Sequence, residues 1–172
     1  MHRFTSMLEI RKYKKRYILQ PVGKIPNEVL FIHSGLIRVC LDDYSGKEHS
    51  IHFATESQFI ADYSNFILNE PAVYRLEAME NLEVVVLPRA AIEWGYTHLQ
   101  EGEKLGRMIA EFYFIYHDNR IRNQYMRTPK ERYEAIQHVF PDIHQRVPQH
   151  MIASYLGITP IHLSRLKKEA KV

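Results

Sequence analysis

The sequence predicts an α+β chain in which short strands come first and helices follow. Before residue 88, β-branched and aliphatic runs alternate with turn residues; after it, apolar positions recur at helical spacing. Near the end, an Ala-Gly-Leu spacing of four and six residues predicts two short helices joined by a tight turn. Three regions follow from these patterns: a β-rich domain over 1–99, a long helix over 100–127, and a small helical domain over 128–172.

Residues 29–33 are a hydrophobic β-rich run into Gly35, and residues 36–41 continue in the same composition. Between Asp42 and Lys47 lies a polar cluster containing Gly46, which can take positive φ, so a hairpin turn is expected. Residues 48–53 supply the returning strand. Residues 82–87 form a further strand that Pro88 ends. Several short strands with turns between them suggest a small sandwich or barrel.

Composition narrows the function classes. The 172 residues are 45% hydrophobic and 25% charged, a globular balance. No apolar run approaches the ~20 residues of a membrane span, and the first residues lack the apolar stretch of a signal peptide. A cytoplasmic location without membrane association is expected. Cys40 is the only cysteine, which excludes intrachain disulfides, a four-thiolate zinc site and a four-cysteine iron–sulfur cluster. Its place in an apolar strand suits a buried small side chain. The net charge of +3 permits nucleic acid as a partner without requiring it. The distribution says more: Arg165, Lys167, Lys168 and Lys171 face one acid, Glu169, in the last ten residues.

Residues 89–99 fit a short helix, and residues 100–127 fit one long helix without proline. Along it Leu105, Met108, Phe112, Ile115, Asn119, Arg122 and Met126 fall at alternating spacings of three and four. That is the seam of a coiled coil, apolar in its first half and polar in its second. The same spacing suits an amphipathic helix packed on its own domain; Asn119, a residue type that sets register between chains, favours a dimer through Leu105, Met108, Phe112, Ile115 and Asn119. Helix restarts at Thr128, an N-cap, with Pro129 at the first helical position and Glu131 placed to close a capping box. Tyr133, Ile136, Val139 and Phe140 mark its buried side, and Pro141 ends it.

The final unit opens at Val147-Pro148 and reads QHMIASYLGITPIHLSRLKK from Gln149 to Lys168. A small residue must sit where two helices cross, and Ala153 is there. Gly157 follows the first helix, where a left-handed residue starts the turn. Ile152, Leu156, Ile158, Leu163 and Leu166 supply the apolar crossing. Thr159 and Pro160 provide the second helix with an N-cap and a first helical residue. These together fill the helix-turn-helix template. The outer side of the second helix offers His162, Ser164, Arg165, Lys167 and Lys168, donors for base edges and cations for phosphates. Gln149 and His150 stand at the start of the first helix, where backbone N–H groups can also meet a phosphate.

The order of β-rich domain, long helix and helix-turn-helix resembles the Crp/Fnr regulators over about residues 12–169. The most specific stretches are residues 30–38, residues 59–63 and residues 147–168. The resemblance implies an N-terminal jelly roll of the cyclic-nucleotide-binding type, a long dimerisation helix, and a C-terminal helical, winged-helix-like domain carrying the helix-turn-helix. It implies a homodimer on double-stranded DNA with an inverted-repeat operator, and RNA polymerase as a further partner if the protein activates. No cofactor is expected. The family's guanine-bonding arginine matches Arg165; other base-facing positions match Pro160, Ile161 and His162. Many members have Glu where this chain has Ile161. The effector positions also depart. Members that bind cyclic AMP cradle its phosphate with a Gly-Glu pair and an Arg-Ser/Thr-Ala run. Here Ala61-Asp62 aligns with the pair, and the run falls at Ala72, Val73 and Tyr74 with no arginine at its start. Arg75 is the nearest substitute. Poor pairing of a buried phosphate predicts that cyclic AMP is not the effector, whose identity stays open.

Two other readings compete. Jelly rolls also host cupin-type metal enzymes, and His49, His52 and Glu56, with His33 on a strand, resemble a ligand set. Spacing of three, however, puts His49 and His52 on opposite faces of a regular strand. No nucleophile elbow surrounds Ser34-Gly35, no Gly-rich phosphate loop exists, and Asp42-Asp43 sits in a turn. A ligand-sensing module without DNA binding would share the fold but not need the chemistry of the second C-terminal helix.

Overall fold

Alternating apolar residues build the first half. In the computed structural model, which describes residues 2–169, the strands are β1 (Glu9–Tyr13), β2 (Ile18–Gln20), β3 (Glu28–Ser34), β4 (Ile37–Asp42), β5 (Glu48–Ala54), β6 (Phe59–Ile60), β7 (Arg75–Ala78) and β8 (Leu82–Pro88). They form two antiparallel four-stranded sheets of order β1-β8-β3-β6 and β2-β7-β4-β5, a jelly-roll-like arrangement. Leu30 and Ile32 of β3 and Leu82, Val84 and Val86 of β8 meet Ile37 and Val39 of β4 and Leu76 and Ala78 of β7 in one buried cluster. Period-two patterning puts each strand's apolar set on that face. Helices α1 (His2–Thr5), α2 (Tyr63–Leu68) and α3 (Arg89–His98) complete this part. The expected turn forms: Gly46 takes φ +79°, and the Asp43 carboxylate accepts the Ser45 and Lys47 N–H groups at 2.8 and 3.1 Å.

One strand departs from regular pleating. Register shifts between Val39 and Cys40, so Leu41 opposes His49 while Val39 opposes His52. The extra residue, Ile51, is a β-bulge packed against the core. Partners directly opposite point to one face, and Val39 and Leu41 share a face. His49 and His52 therefore also share one, contrary to the expectation from their odd spacing.

The chain divides into two compact units between Met108 and Ile109, within helix α4 (Gly102–Met126). No residue of α4 is buried. Beyond it come α5 (Pro129–Val139), α6 (Ile143–Arg146), α7 (Gln149–Leu156) and α8 (Pro160–Glu169). The capping box of α5 is complete: the Thr128 side chain accepts from the Glu131 N–H at 3.3 Å, and Glu131 accepts from the Thr128 N–H at 2.8 Å. Tyr133, Ile136 and Phe140 are buried as expected, but Val139 is 52% exposed. Phe140 follows the last helical residue as a C-cap with φ −135° and ψ 80°, and this turn out of the helix carries its ring to the inward place while Val139 stays outside. Together with Ile143, Val147, Ile152, Leu156, Leu163 and Leu166 these residues make the core of the helical unit. No helix among the described residues is long and apolar enough to cross a membrane.

Candidate nucleic-acid interface

The two helices α7 and α8 cross where the sequence places the smallest side chain. Ala153 is fully buried at the contact, with Ile152, Leu156, Leu163 and Leu166 around it; Ile158 is half-buried. Gly157 takes φ +67°, and the Ile158 N–H returns to the Ala153 carbonyl at 3.0 Å, closing α7. A side chain at Gly157 would be strained by that φ and would press on the Gln124 amide. Thr159 caps α8 by accepting the His162 N–H at 3.2 Å, and Pro160 follows at the first helical position.

With Leu163 and Leu166 turned inward, the outward side of α8 presents Pro160, Ile161, His162, Ser164, Arg165 and Lys168, all exposed. Ile161, Ser164, Arg165 and Lys168 lie at steps of three and four, one continuous stripe. Lys167 differs from its sequence expectation. It is half-buried, and its ammonium donates to the Gln149 Oε1 at 3.1 Å, tying the end of α8 to the start of α7. Its place four residues after Leu163 sets it on the flank of the packed side. Gln149 is half-buried in this pairing, whereas His150 is exposed. Lys167 also acts on His144: burial, and then the nearby ammonium, hold that imidazole below its usual pKa.

Sequence reasoning missed the groups that hold α7 in place. Its last carbonyls have no intrahelical donor. The Tyr155 carbonyl accepts from Arg120 at 3.4 Å and Gln124 at 3.3 Å, and the Leu156 carbonyl accepts from Arg132 Nε at 3.1 Å. The Arg120 guanidinium also lies 4.3 Å over the Tyr155 ring, a cation–π contact. The Tyr116 and Tyr155 hydroxyls are 3.3 Å apart, and burial first, then Tyr155, push the Tyr116 phenol far above its usual pKa. A signal existed: Tyr116, Arg120 and Gln124 are spaced by four, a second stripe on α4 beside the apolar seam.

That seam is open. Leu105, Met108, Phe112 and Ile115 are each more than half exposed, and Asn119 is exposed further along. Along α4 these residues recur at seam spacing, and none of the residues of this helix is buried among the described residues.

The expected effector positions also come together. Ala61 is half-buried, Ala72 buried, Tyr74 half-buried, and Val73 exposed. The Asp62 carboxylate accepts the Val73 and Tyr74 backbone N–H groups at 3.0 and 3.1 Å. Arg75 is turned to Glu48, with Asp42 at 3.8 Å. Of the histidines that resemble a ligand set, His49 has its Nε2 2.8 Å from the Asp43 carboxylate. Glu56 accepts the Gly35 N–H at 2.9 Å. The group whose ligand atoms do converge among the described residues is Cys40, Glu48 and Glu77, within 4.8 Å. Its carboxylates already meet cations: Arg38, only 1% exposed, donates to Glu48 at 2.5 Å and lies 3.8 Å from Glu77. Burial raises the Cys40 pKa, which keeps it a thiol.

Residues 10–96 match the family model described as "Cyclic nucleotide-binding domain". Among solved structures, FixK2 from Bradyrhizobium japonicum superposes with a TM-score of 0.80 at 13% identity, over 94% of this chain and 83% of that one. The c-di-GMP-responsive global regulator CLP from Xanthomonas campestris gives 0.74 at 13% identity, over 99% and 89%. The catabolite activator protein of Thermus thermophilus gives 0.60 at 13% identity, over 98% and 80%. At such identities the likeness is one of fold. No curated protein sequence matches the chain.

Proposed function

Because this chain belongs to the cyclic nucleotide-binding domain family, we propose that it is a dimeric, cytoplasmic transcription regulator of the Crp/Fnr type rather than an enzyme. The observation that carries the proposal is the outward stripe of α8: Ile161, Ser164, Arg165 and Lys168, with His162 beside it, on a helix whose opposite side buries Leu163 and Leu166. A helix so mounted can enter a major groove, where a planar guanidinium pairs with the O6 and N7 of guanine and hydroxyl or imidazole donors meet other base edges. Arg165, one turn past Ile161, has the central place. Lys168 and His150 are placed for phosphates. Lys167, engaged by Gln149, contributes charge and helix packing instead. Pairing through the α4 seam gives two such helices, and their preferred DNA is an inverted repeat with half-sites about 34 Å apart. RNA polymerase joins the complex if the protein activates.

Selection of binding sites from random DNA tests this directly. Wild type should enrich a palindrome, and Arg165→Ala should relax one base position per half-site at a loss of about 1–3 kcal/mol. Lys168→Ala should weaken all sequences alike and lower the slope of log affinity on log salt by about one unit. If neither wild type nor Arg165→Ala enriches a palindrome, or both enrich the same one equally, the assignment fails.

A further inference from the structure

Asp62 is a carboxylate that is only 2% exposed. Such a group leaves water only where donors replace its hydration. Here they converge on one oxygen: Oδ2 accepts from the Val73 and Tyr74 backbone N–H groups at 3.0 and 3.1 Å and from Asn65 Nδ2 at 3.3 Å. Consecutive backbone N–H groups aimed at one point make a nest, the arrangement by which loops hold phosphate oxygens. In this chain the nest is filled from within. The other oxygen, Oδ1, is buried and accepts nothing among the described residues.

The surroundings reinforce the same outcome. The loop that carries the nest is tied down by the chain: Asn65 donates to the Pro71 carbonyl at 2.9 Å, and the Ala72 N–H to the Lys24 carbonyl at 3.0 Å. The Tyr74 side chain packs against the inter-sheet core. Arg75, the nearest guanidinium along the chain, is held by Glu48. A phosphate arriving here would find both amides taken, a carboxylate of like charge in its place, and the adjacent cation already paired.

We infer that Asp62 is a built-in anion that occupies the Val73–Tyr74 nest, so the site rejects phosphate-bearing ligands, inorganic phosphate and cyclic nucleotides alike. The inference rests on the correspondence of residues 61–75 to the family's effector site and is independent of DNA binding. Removing the carboxylate turns the nest into an anion site. In Asp62→Gly the two N–H groups lose their acceptor, and a small anion can replace it.

The test uses the full chain, with formate and inorganic phosphate as probes and sodium chloride as the control at matched ionic strength. The thermal midpoint of Asp62→Gly should fall, then recover with about 10 mM formate or phosphate beyond the chloride control, because an anion bound only by the folded state stabilises it. Wild type and Asp62→Asn, which retains an acceptor oxygen, should show no such gain. In wild type the Val73 and Tyr74 amide resonances should stay in place on addition of phosphate or cyclic AMP. Saturable movement of those resonances overturns the inference, as does a folded Asp62→Gly indifferent to anions. If Asp62→Gly does not fold, the wild-type amide readout decides alone. Cyclic AMP binding to wild type would overturn the inference about Asp62 and leave the DNA-reading proposal standing; a wild type that selects no palindrome would do the reverse.

Discussion

Helices α4 and α8 both carry apolar residues at helical spacing, yet only α8 closes that face within its own chain. Leu163 and Leu166 of α8 are buried against α7, whereas the 25 residues of α4 include none that is buried. Four large apolar side chains stand open along one line of α4, and burying each fully would contribute roughly 1.5–3 kcal/mol. The difference separates two uses of one pattern. A stripe finished inside the chain leaves the other side of α8 free, which is the side the proposed function assigns to DNA. A stripe left unfinished is the one the proposed dimer would cover, with Asn119 beyond the apolar half setting its register.

The largest expected effect lies at the seam. Met108→Ala with Phe112→Ala should weaken a dimer by about 2–5 kcal/mol for each side chain that the dimer fully buries. Sedimentation of wild type and the double variant reads this out, and a wild type that stays monomeric at micromolar concentration defeats the dimer. On the packed side, Leu163→Ala should lower the stability of the helical unit by about 2–5 kcal/mol without needing a partner. Denaturant unfolding at several protein concentrations distinguishes the two, since only the seam variant should alter the concentration dependence.

A smaller effect belongs to the cap of α5. Thr128→Ala removes one half of the capping box and should cost about 1 kcal/mol, visible as a shifted denaturant midpoint with unchanged slope. The smallest effect is a pH dependence. Neither ring nitrogen of His144 has a hydrogen-bond partner among the described residues, and burial followed by Lys167 depresses its pKa. His117, on α4, is depressed too, by partial desolvation of its ring and then by Arg120. With the folded-state pKa lowered, the unfolded chain binds more protons near the ordinary histidine pKa of about 6.5. Stability is then complete above that pH and declines as pH falls through it towards the folded values. His144→Leu should flatten part of this decline in thermal melts between about pH 7 and 5. An identical decline in that variant would exclude His144 as a source.

Features settled within a few contiguous residues are legible in the sequence. Thr128, Pro129 and Glu131 announce their cap, Gly46 its turn, and Ala153, Gly157 and Pro160 the crossing of two helices, because each depends on local backbone conformation and side-chain reach. The exposed stripe of α8 follows from the same periodicity once Leu163 and Leu166 turn inward. Val139 shows where periodicity fails: adjacent apolar residues compete for one inward place, and packing selects between them.

What the sequence could not contain was any outcome dependent on partners far along the chain. The bulge at Ile51, which puts His49 and His52 on one face, arises from pairing with β4 and leaves no mark in residue order. Asp62 meets Val73 across 11 residues, Lys167 meets Gln149 across 18, and Arg120 meets Tyr155 across 35. A carboxylate can cap, chelate or fill a nest with the same local sequence around it. Which it does is decided by the donors that folding delivers, since burial makes an unmet hydrogen bond costly and so selects the one arrangement that satisfies it.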